Sequence, residues 1–580
     1  MERHPPRATN DAIDLYLRTY YSLLRSSGDV HVRAFEEAHA FSDSSLHLGA
    51  REQWIDVAAF AYSAARLPSC VATVGRIVLG QSHEHFTAAG LDVRHWDVVH
   101  TRGRRRPSRW NGGDSLAVYI TSTSDIDDLV PIVTAYQIEW NKLHGRLSGT
   151  ALGKRLAEDD ADTPLSDADV ADLGRELGLE DGQAEKLREA FGESWPSGLR
   201  AVARRESDLV IRLLNGSYSQ YQRAAHRWWS GIEPVYLREA APRRRPVYFV
   251  SSNTHSLINL LGGYARTHRD EMLAWARERN PENLAPVLRD AIAAGDELTV
   301  SNLLYYLLRT FLRESNAESR ERVQTVQRAD ALAGITTVES PGKIDVSAQL
   351  IELSRLRPET LDLRILVPGI ERLAESDAVV VNIDYPLGMA AYHHLARLAQ
   401  GVGEIRGVYV MGKAATLNGR VGDVMLSNVS HDEHSRNTYL YKNCFTARDV
   451  QPFMRVGTVL DNQKALTVRS AYLQNRDYMS VFYREGYTVM EMETGPFLSA
   501  LCETVLPNRH PEDQIVHLSI LTPFDVGILH YASDTPYSRR QSLLSKSLSY
   551  FGVESTYACA AAIARRIFAA EVARVSGHAG

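Results

Sequence analysis

Two short acidic runs in the C-terminal half place carboxylates at the ends of strand-like segments. Asp534 follows the apolar stretch from Ile515 to His530, and Glu491 and Glu493 flank Met492 in an earlier segment. Ligands of α/β enzymes bind outside the carboxyl ends of strands, so both runs are candidates for chemistry. Cleavage of an N-glycosidic bond needs an acid that protonates the leaving base and a carboxylate that holds the ribose hydroxyls and stabilises positive charge. The pair therefore indicates that chemistry as a hypothesis.

Composition sets the broad class of protein. A chain of 580 residues predicts two or three domains, and its 44% apolar and 23% charged fractions are typical of soluble globular proteins. The 65 basic and 71 acidic residues give a net charge of −6, so nothing in the overall charge favours nucleic acid as a partner. The chain contains no run of roughly 18 apolar residues, so no membrane span is predicted.

The cysteines are scattered and show no CxxC spacing. That usage is typical of reduced thiols in a cytoplasmic protein, and the first residues lack the apolar region of a secretory signal. No motif indicates a cofactor. The four cysteines are Cys70, Cys444, Cys502 and Cys559.

The chain divides by its hydrophobic pattern. Residues 1–150 have apolar residues at three- and four-residue spacing, which predicts an N-terminal, mainly α domain. Residues 151–240 are predicted to be a linker and helical connector. From 241 to 580, continuous apolar runs alternate with helical patterns, which predicts an α/β domain with a mixed sheet flanked by helices.

Three predicted turns carry small or hydroxyl residues directly after a strand-like run. Such residues let the backbone approach a ligand, and turn N–H groups suit anions such as phosphate. The alternatives are helix capping for the first turn, close helix–sheet packing for the second and an ordinary tight turn for the third. The candidates are Ser251, Ser252 and Asn253 in the first turn, Gly388 in the second, and Gly412, Lys413 and Thr416 in the third.

A metal site is not indicated. His431-Asp432-Glu433-His434 gathers possible ligands, but adjacent positions on a loop are not a specific zinc spacing, and no cysteine pair assists.

Taken in order, five motifs resemble those of the purine nucleoside phosphorylase and nucleosidase superfamily, and AMP nucleosidases most of all. The similarity extends over residues 245–570. The motifs are Asn382–Ala391, Gly412–Leu417, Val421–Leu426, Glu491–Gly495 and Ser533–Asp534.

The resemblance implies a nucleoside phosphorylase-like fold and a role for each motif. Asp534 would hold or donate the proton at N7 of a purine, Glu493 would bind the ribose hydroxyls, and Met492 would pack under the sugar. The three turns would hold a phosphate or water near the anomeric carbon. The family also implies a purine nucleotide or nucleoside as the small-molecule partner, and a homo-oligomer.

Departures from the family pattern favour hydrolysis over phosphorolysis. The first turn has Ser251, Ser252 and Asn253 where phosphorylases usually have an arginine, and Lys413 precedes two alanines where glycines are common. Lys413 is a candidate for holding a substrate phosphate, and so are Arg539 and Arg540, for which a solvated helix start is the alternative.

The leading hypothesis is therefore hydrolysis of an AMP-like substrate to its base and ribose 5-phosphate. Two alternatives stay open: a phosphorylase or ribosyl transferase of specialised nucleoside metabolism, and a non-catalytic nucleotide sensor. The N-terminal region would regulate the site, cover it or mediate assembly.

Overall fold

The computed structural model of the chain describes residues 11–103, 106–159, 164–237, 243–313, 317–506, 512–535 and 552–577. Two mixed sheets flanked by helices make up the described chain, which confirms a mixed α/β fold. None of the helices in these ranges is both long and apolar enough to cross a membrane.

The first sheet has six strands in the order β1-β6-β2-β5-β4-β3. Its strands are β1 (Asp29–His31), β2 (Arg76–Gly80), β3 (Asp97–Val99), β4 (Ser108–Trp110), β5 (Ser115–Tyr119) and β6 (Val210–Leu213). The helices of this region are α1 (Asp11–Ser26), α2 (Arg33–Phe41), α3 (Val57–Ala64), α4 (His83–Ala88), α5 (Thr123–Leu147), α6 (Ala151–Glu158), α7 (Asp167–Leu177), α8 (Gln183–Phe191), α9 (Trp195–Arg204) and α10 (Tyr218–Leu237).

This sheet was not indicated by the sequence, which predicted helices for residues 1–150 and a helical connector after them. Three of the strands are only three residues long, too short to show an alternating pattern. β6 pairs in parallel with β2, so the segment predicted as a connector contributes a strand to the first sheet.

The second sheet has eleven strands and contains the candidate site. Its strands are β7 (Val247–Ser251), β8 (Ile335–Val338), β9 (Ala348–Glu352), β10 (Val379–Ile383), β11 (Ile405–Thr416), β12 (Val424–Asp432), β13 (Thr438–Leu440), β14 (Val459–Thr467), β15 (Tyr487–Glu491), β16 (Ile515–His517) and β17 (Asp525–Asp534). The helices are α11 (Ser256–Gly262), α12 (Tyr264–Thr267), α13 (Arg269–Arg279), α14 (Ala285–Ala293), α15 (Glu297–Leu312), α16 (Ala317–Leu332), α17 (Met389–Gly401), α18 (Ala447–Val450), α19 (Arg476–Arg484), α20 (Thr494–Val505), α21 (Leu518–Leu521) and α22 (Val553–Gly577).

Helices cover the central strands on both faces. In β7, Tyr248 and Val250 face a cluster that includes α15 and α22, whereas Val247 and Phe249 face a cluster that includes α10, α17 and α20. Successive side chains of a strand point to opposite faces, so burial of both faces requires the continuous apolar run seen in the sequence. β10 is likewise buried along its length, which explains why its continuous apolar run predicts a strand.

Part of the second sheet closes on itself. β11 pairs with β15, β15 with β14, β14 with β12, β12 with β17, and β17 with β11 again. In the order β10-β7-β11-β17, each strand runs parallel to the next, so the carboxyl ends of these four strands lie at one edge of the sheet. Ligands of α/β sheets bind at such an edge.

The two sheet regions share a buried contact. Tyr472, in the connection between β14 and α19, is 1% exposed and packs in the hydrophobic cluster of the N-terminal region. Its hydroxyl donates to the carbonyl oxygen of Ala59 (2.9 Å) and lies 2.7 Å from Ser63 Oγ. The N-terminal region is therefore packed directly against the second sheet.

Candidate functional site

The two acidic runs meet on either side of β11. Ala415 of β11 pairs with Met490 of β15 on one side and with Asp534 of β17 on the other. Adjacent strands are about 4.8 Å apart, so the ends of β15 and β17 are separated by roughly 10 Å across β11. That separation is suited to holding a small ligand between them.

Asp534 is the last residue of β17, and one of its two carboxylate oxygens is hydrogen-bonded while the other has no described partner. The hydroxyl of Ser533 donates to Asp534 Oδ2 (2.8 Å). Asp534 Oδ1 is buried and has no hydrogen-bond partner among the described residues. A buried polar atom without a partner is costly, and such atoms are typical of positions that meet a ligand.

Lys413 lies beside Asp534. Lys413 is exposed on β11; partial enclosure of its ammonium group lowers the pKa, and the negative charge of Asp534 opposes that shift. Lys413 pairs in register with Tyr531 of β17, which places it on the strand next to the catalytic candidate. The site thus combines a carboxylate and a cation at the end of parallel strands.

Glu491 and Glu493 have different surroundings. Glu491 is buried, accepts the backbone N–H groups of Glu493 and Thr494 (both 2.7 Å), and is also bonded to the hydroxyl of Thr467. Burial raises the pKa of Glu491. Glu491 therefore organises the start of α20, and Glu493 is the residue of the pair that the turn presents.

Glu493 reaches the start of α17. The backbone N–H of Gly388 donates to Glu493 Oε1 (3.3 Å). Gly388 has φ +51°, and a Cβ there would lie 2.3 Å from Ser124 Oγ, so only glycine fits. Met492 packs beside a small apolar cluster that includes Met490 and Leu417.

The first predicted phosphate turn is occupied by its own hydrogen bonds. Ser251 is buried at the end of β7, and Ser252 Oγ lies 2.7 Å from Asn382 Oδ1. Asn253 Oδ1 accepts the backbone N–H groups of His255 (3.1 Å) and Ser256 (2.6 Å). These contacts support the capping alternative for the turn.

The third predicted turn is instead a strand. β11 continues through Gly412, Lys413 and Thr416 because residues 412–415 pair with β17, while Ala415 and Thr416 pair with β15. The hydroxyl of Thr416 accepts the backbone N–H of Gly419 (2.9 Å), so it closes the turn after the strand. Of these three residues, Lys413 has a described electrostatic interaction with Asp534.

Two basic residues near Lys413 were not among the sequence candidates. Burial lowers the pKa of His255 to about 4, and the positive charges of Arg309 and Lys413 add to the effect. Arg309 lies in the last turn of α15, far from any motif, so no sequence signal could have identified it. Arg309 and Lys413 carry positive charge and the neutral ring of His255 offers an N–H donor, so these groups together favour an anion.

The remaining candidates are the two arginines after Asp534 and the histidine-containing segment 431–434. Arg539 and Arg540 lie outside the described residues. The segment 431–434, predicted as a loop, begins in β12: His431 Nδ1 lies 3.0 Å from Thr438 Oγ1, and His434 pairs with Asp432. Within the described ranges, no three His, Cys, Asp or Glu side chains are grouped so that they could hold a metal ion.

The structure thus defines the class of the protein as mixed α/β, with a pair of carboxylates at the ends of its strands. The chain belongs to a family of unknown function (DUF6909), whose model matches residues 32–569. No curated protein matches the chain. Among solved structures, one similar chain is a protein from Weissella paramesenteroides ATCC 33313, provisionally identified as a methylthioadenosine nucleosidase. It has 13% identity and a TM-score of 0.27, and the match covers 44% of this chain and 96% of that one. A likeness of that size is too weak to support a shared fold or activity.

Proposed function

We propose that this protein, on a nucleoside phosphorylase-like fold, hydrolyses the N-glycosidic bond of a purine nucleotide or nucleoside. An AMP-like substrate would yield the base and ribose 5-phosphate. The observation that carries the proposal is Asp534, whose buried Oδ1 has no described partner and which lies across β11 from the turn of Glu493. An acid and a ribose-binding carboxylate are the two groups that this reaction needs.

The chemistry follows from the placement of the side chains. Asp534 holds or donates a proton at N7, so that the base leaves as a neutral molecule when the bond to the anomeric carbon breaks. Glu493 accepts hydrogen bonds from the ribose hydroxyls and stabilises positive charge on the sugar ring. A water oxygen then bonds to the anomeric carbon and loses its proton to solvent.

The surroundings of Lys413 favour a phosphorylated substrate. Lys413 lies near Asp534, and His255, an N–H donor, lies near both Lys413 and the positive charge of Arg309. Phosphate oxygens bind such groups through charge-assisted hydrogen bonds. The hydrogen bonds within the Ser252 and Asn253 turn leave it poorly suited to a second, inorganic phosphate, which supports hydrolysis over phosphorolysis.

A substrate panel tests the proposal. The protein is incubated with purine and pyrimidine nucleosides and their 5′-monophosphates, with and without inorganic phosphate, and free base and sugar products are separated by chromatography. Base and ribose 5-phosphate released without phosphate support hydrolysis. A strict phosphate requirement with a sugar 1-phosphate product indicates a phosphorylase, and saturable binding with no base release indicates a sensor; either result contradicts the proposal.

A further inference from the structure

The turn that holds Glu493 is itself held by the N-terminal region. The backbone N–H of Met389 donates to Ser124 Oγ (2.8 Å), and Ser122 Oγ lies 3.4 Å from the carbonyl oxygen of Leu387. The neighbouring N–H, that of Gly388, donates to Glu493. Two consecutive amides at the start of α17 therefore connect α5 of the first region to the acidic run of the second.

Ser124 is fixed by a second set of contacts. Its Oγ lies 3.3 Å from His434 Nε2, and His434 Nδ1 lies 2.9 Å from Asp432 Oδ1. Burial alone would raise the pKa of Asp432, but the His434 ring and the hydrogen bonds that Asp432 accepts lower it. With the proton on Nδ1, the ring donates to the Asp432 carboxylate and accepts the hydroxyl proton of Ser124.

The contacts close around Glu493. Asp432 lies against Gly495, where a Cβ would be 2.5 Å from Asp432 Cβ. Gly495 is the second residue of α20, which begins directly after Glu493. A chain of contacts thus runs from Glu493 through the α17 turn, Ser124 and the His434–Asp432 pair, and returns to the helix that follows Glu493.

The order Asp432, His434, Ser124 is also that of a hydrolytic triad. A nucleophilic serine must meet its substrate, however, and Ser124 is fully buried. Its oxygen already accepts the N–H of Met389. Positioning explains this geometry, whereas nucleophilic attack does not.

We infer that Ser124, acting with His434 and Asp432, is a positioning residue for Glu493, so that the N-terminal region completes the active site. The role of Glu493 as the ribose-binding group rests on the proposed function. The contacts that hold it in place do not. The N-terminal region then contributes one positioning residue, Ser124 of α5, to the site, in addition to any regulatory or assembly role.

The kinetic test is a double-mutant cycle on the full-length protein. Ser124→Ala is expected to lower kcat for base release about tenfold with a smaller change in KM, because the clamp on the ribose hydroxyls acts most strongly in the transition state. In a Glu493→Gln background the same change is expected to have little further effect, since Ser124 acts through Glu493. Equal losses in both backgrounds would overturn the inference.

Ser63→Ala is the matched control. Ser63 is also a fully buried serine that bonds across the two regions, but its partner, the Tyr472 hydroxyl, is not among the described contacts that hold the α17 turn and Glu493. We expect it to leave kcat and KM unchanged. A loss of activity equal to that of Ser124→Ala would mean that any weakening of this interface impairs the site, which contradicts a specific role for Ser124.

Amide hydrogen exchange tests the inference independently of activity. Ser124→Ala is expected to speed exchange in peptides covering residues 386–392 and 490–497, whereas Ser63→Ala is not. If the parent releases no base, the proposed function fails, and this measurement still decides whether Ser124 holds the turn. His434→Gln, which breaks the link to Asp432, replaces Ser124→Ala should that variant not fold. Unchanged exchange in the variant used would contradict the inference.

Discussion

The ends of β15 and β17 both carry carboxylates, but these differ in how far their oxygens are hydrogen-bonded. At the end of β15, Glu491 accepts two backbone N–H groups and Glu493 accepts that of Gly388. At the end of β17, Asp534 keeps one buried oxygen without a described partner. A carboxylate fixed by backbone donors is suited to binding, whereas one with an open oxygen is suited to exchanging a proton with a ligand. The difference supports the two proposed roles without reference to sequence motifs.

Replacement of the open carboxylate is expected to have the largest effect. Asp534→Asn keeps the size of the side chain but removes its ability to hold or donate a proton, so kcat for base release should fall about 1000-fold. Asp525→Asn, at the other end of β17, serves as the control because Asp525 is paired with Arg566 on the far side. A small loss in Asp534→Asn would contradict the assignment of the acid.

Neutralising the fixed carboxylate is expected to have a smaller effect. Glu493→Gln keeps an oxygen for the Gly388 N–H but loses the charge that stabilises the sugar cation, so kcat/KM should fall about 100-fold. Glu485→Gln changes an exposed carboxylate just before β15 and should be silent. If Glu493→Gln were as active as the parent, Glu493 would not be the carboxylate that binds the ribose and stabilises the sugar cation.

Replacement of Lys413 tests the part of the site that is proposed to bind phosphate. Lys413→Ala should raise KM for a nucleoside 5′-monophosphate about tenfold, with little change for the matching nucleoside, because one charge-assisted contact is lost. Lys464→Ala, whose ammonium group bonds the carbonyl oxygen of Glu485, is the control. An equal rise in KM for both substrates would show that Lys413 does not recognise the phosphate.

The smallest expected effect concerns stability and pH. His530 of β17 has Nε2 3.3 Å from Thr494 Oγ1, and burial lowers its pKa from 6.5 to about 4. Between those pH values the unfolded chain binds a proton that the folded chain does not, so stability falls as the pH drops from 6.5 towards 4. His530→Gln should weaken that dependence, as measured by urea unfolding at pH 7 and pH 5. The same loss of stability in both proteins would contradict it.

The sequence predicts the strands that are buried on both faces and misses features that depend on distant partners. β7 and β10 show continuous apolar runs, and Asp534 and Glu493 follow such runs directly. Thr416 was predicted in a turn, but pairing with β15 extends the strand through it. The bond between Ser124 and Met389 joins residues 265 positions apart, a contact that no local pattern can indicate.

The most direct test of the central claim compares leaving groups. AMP needs a proton on its base to depart, whereas 4-nitrophenolate departs without one. On our account, Asp534→Asn loses about 1000-fold in kcat on AMP but less than about tenfold on 4-nitrophenyl riboside, assayed with and without a 5′-phosphate. Equal losses on both substrates would show that Asp534 does not protonate the leaving base.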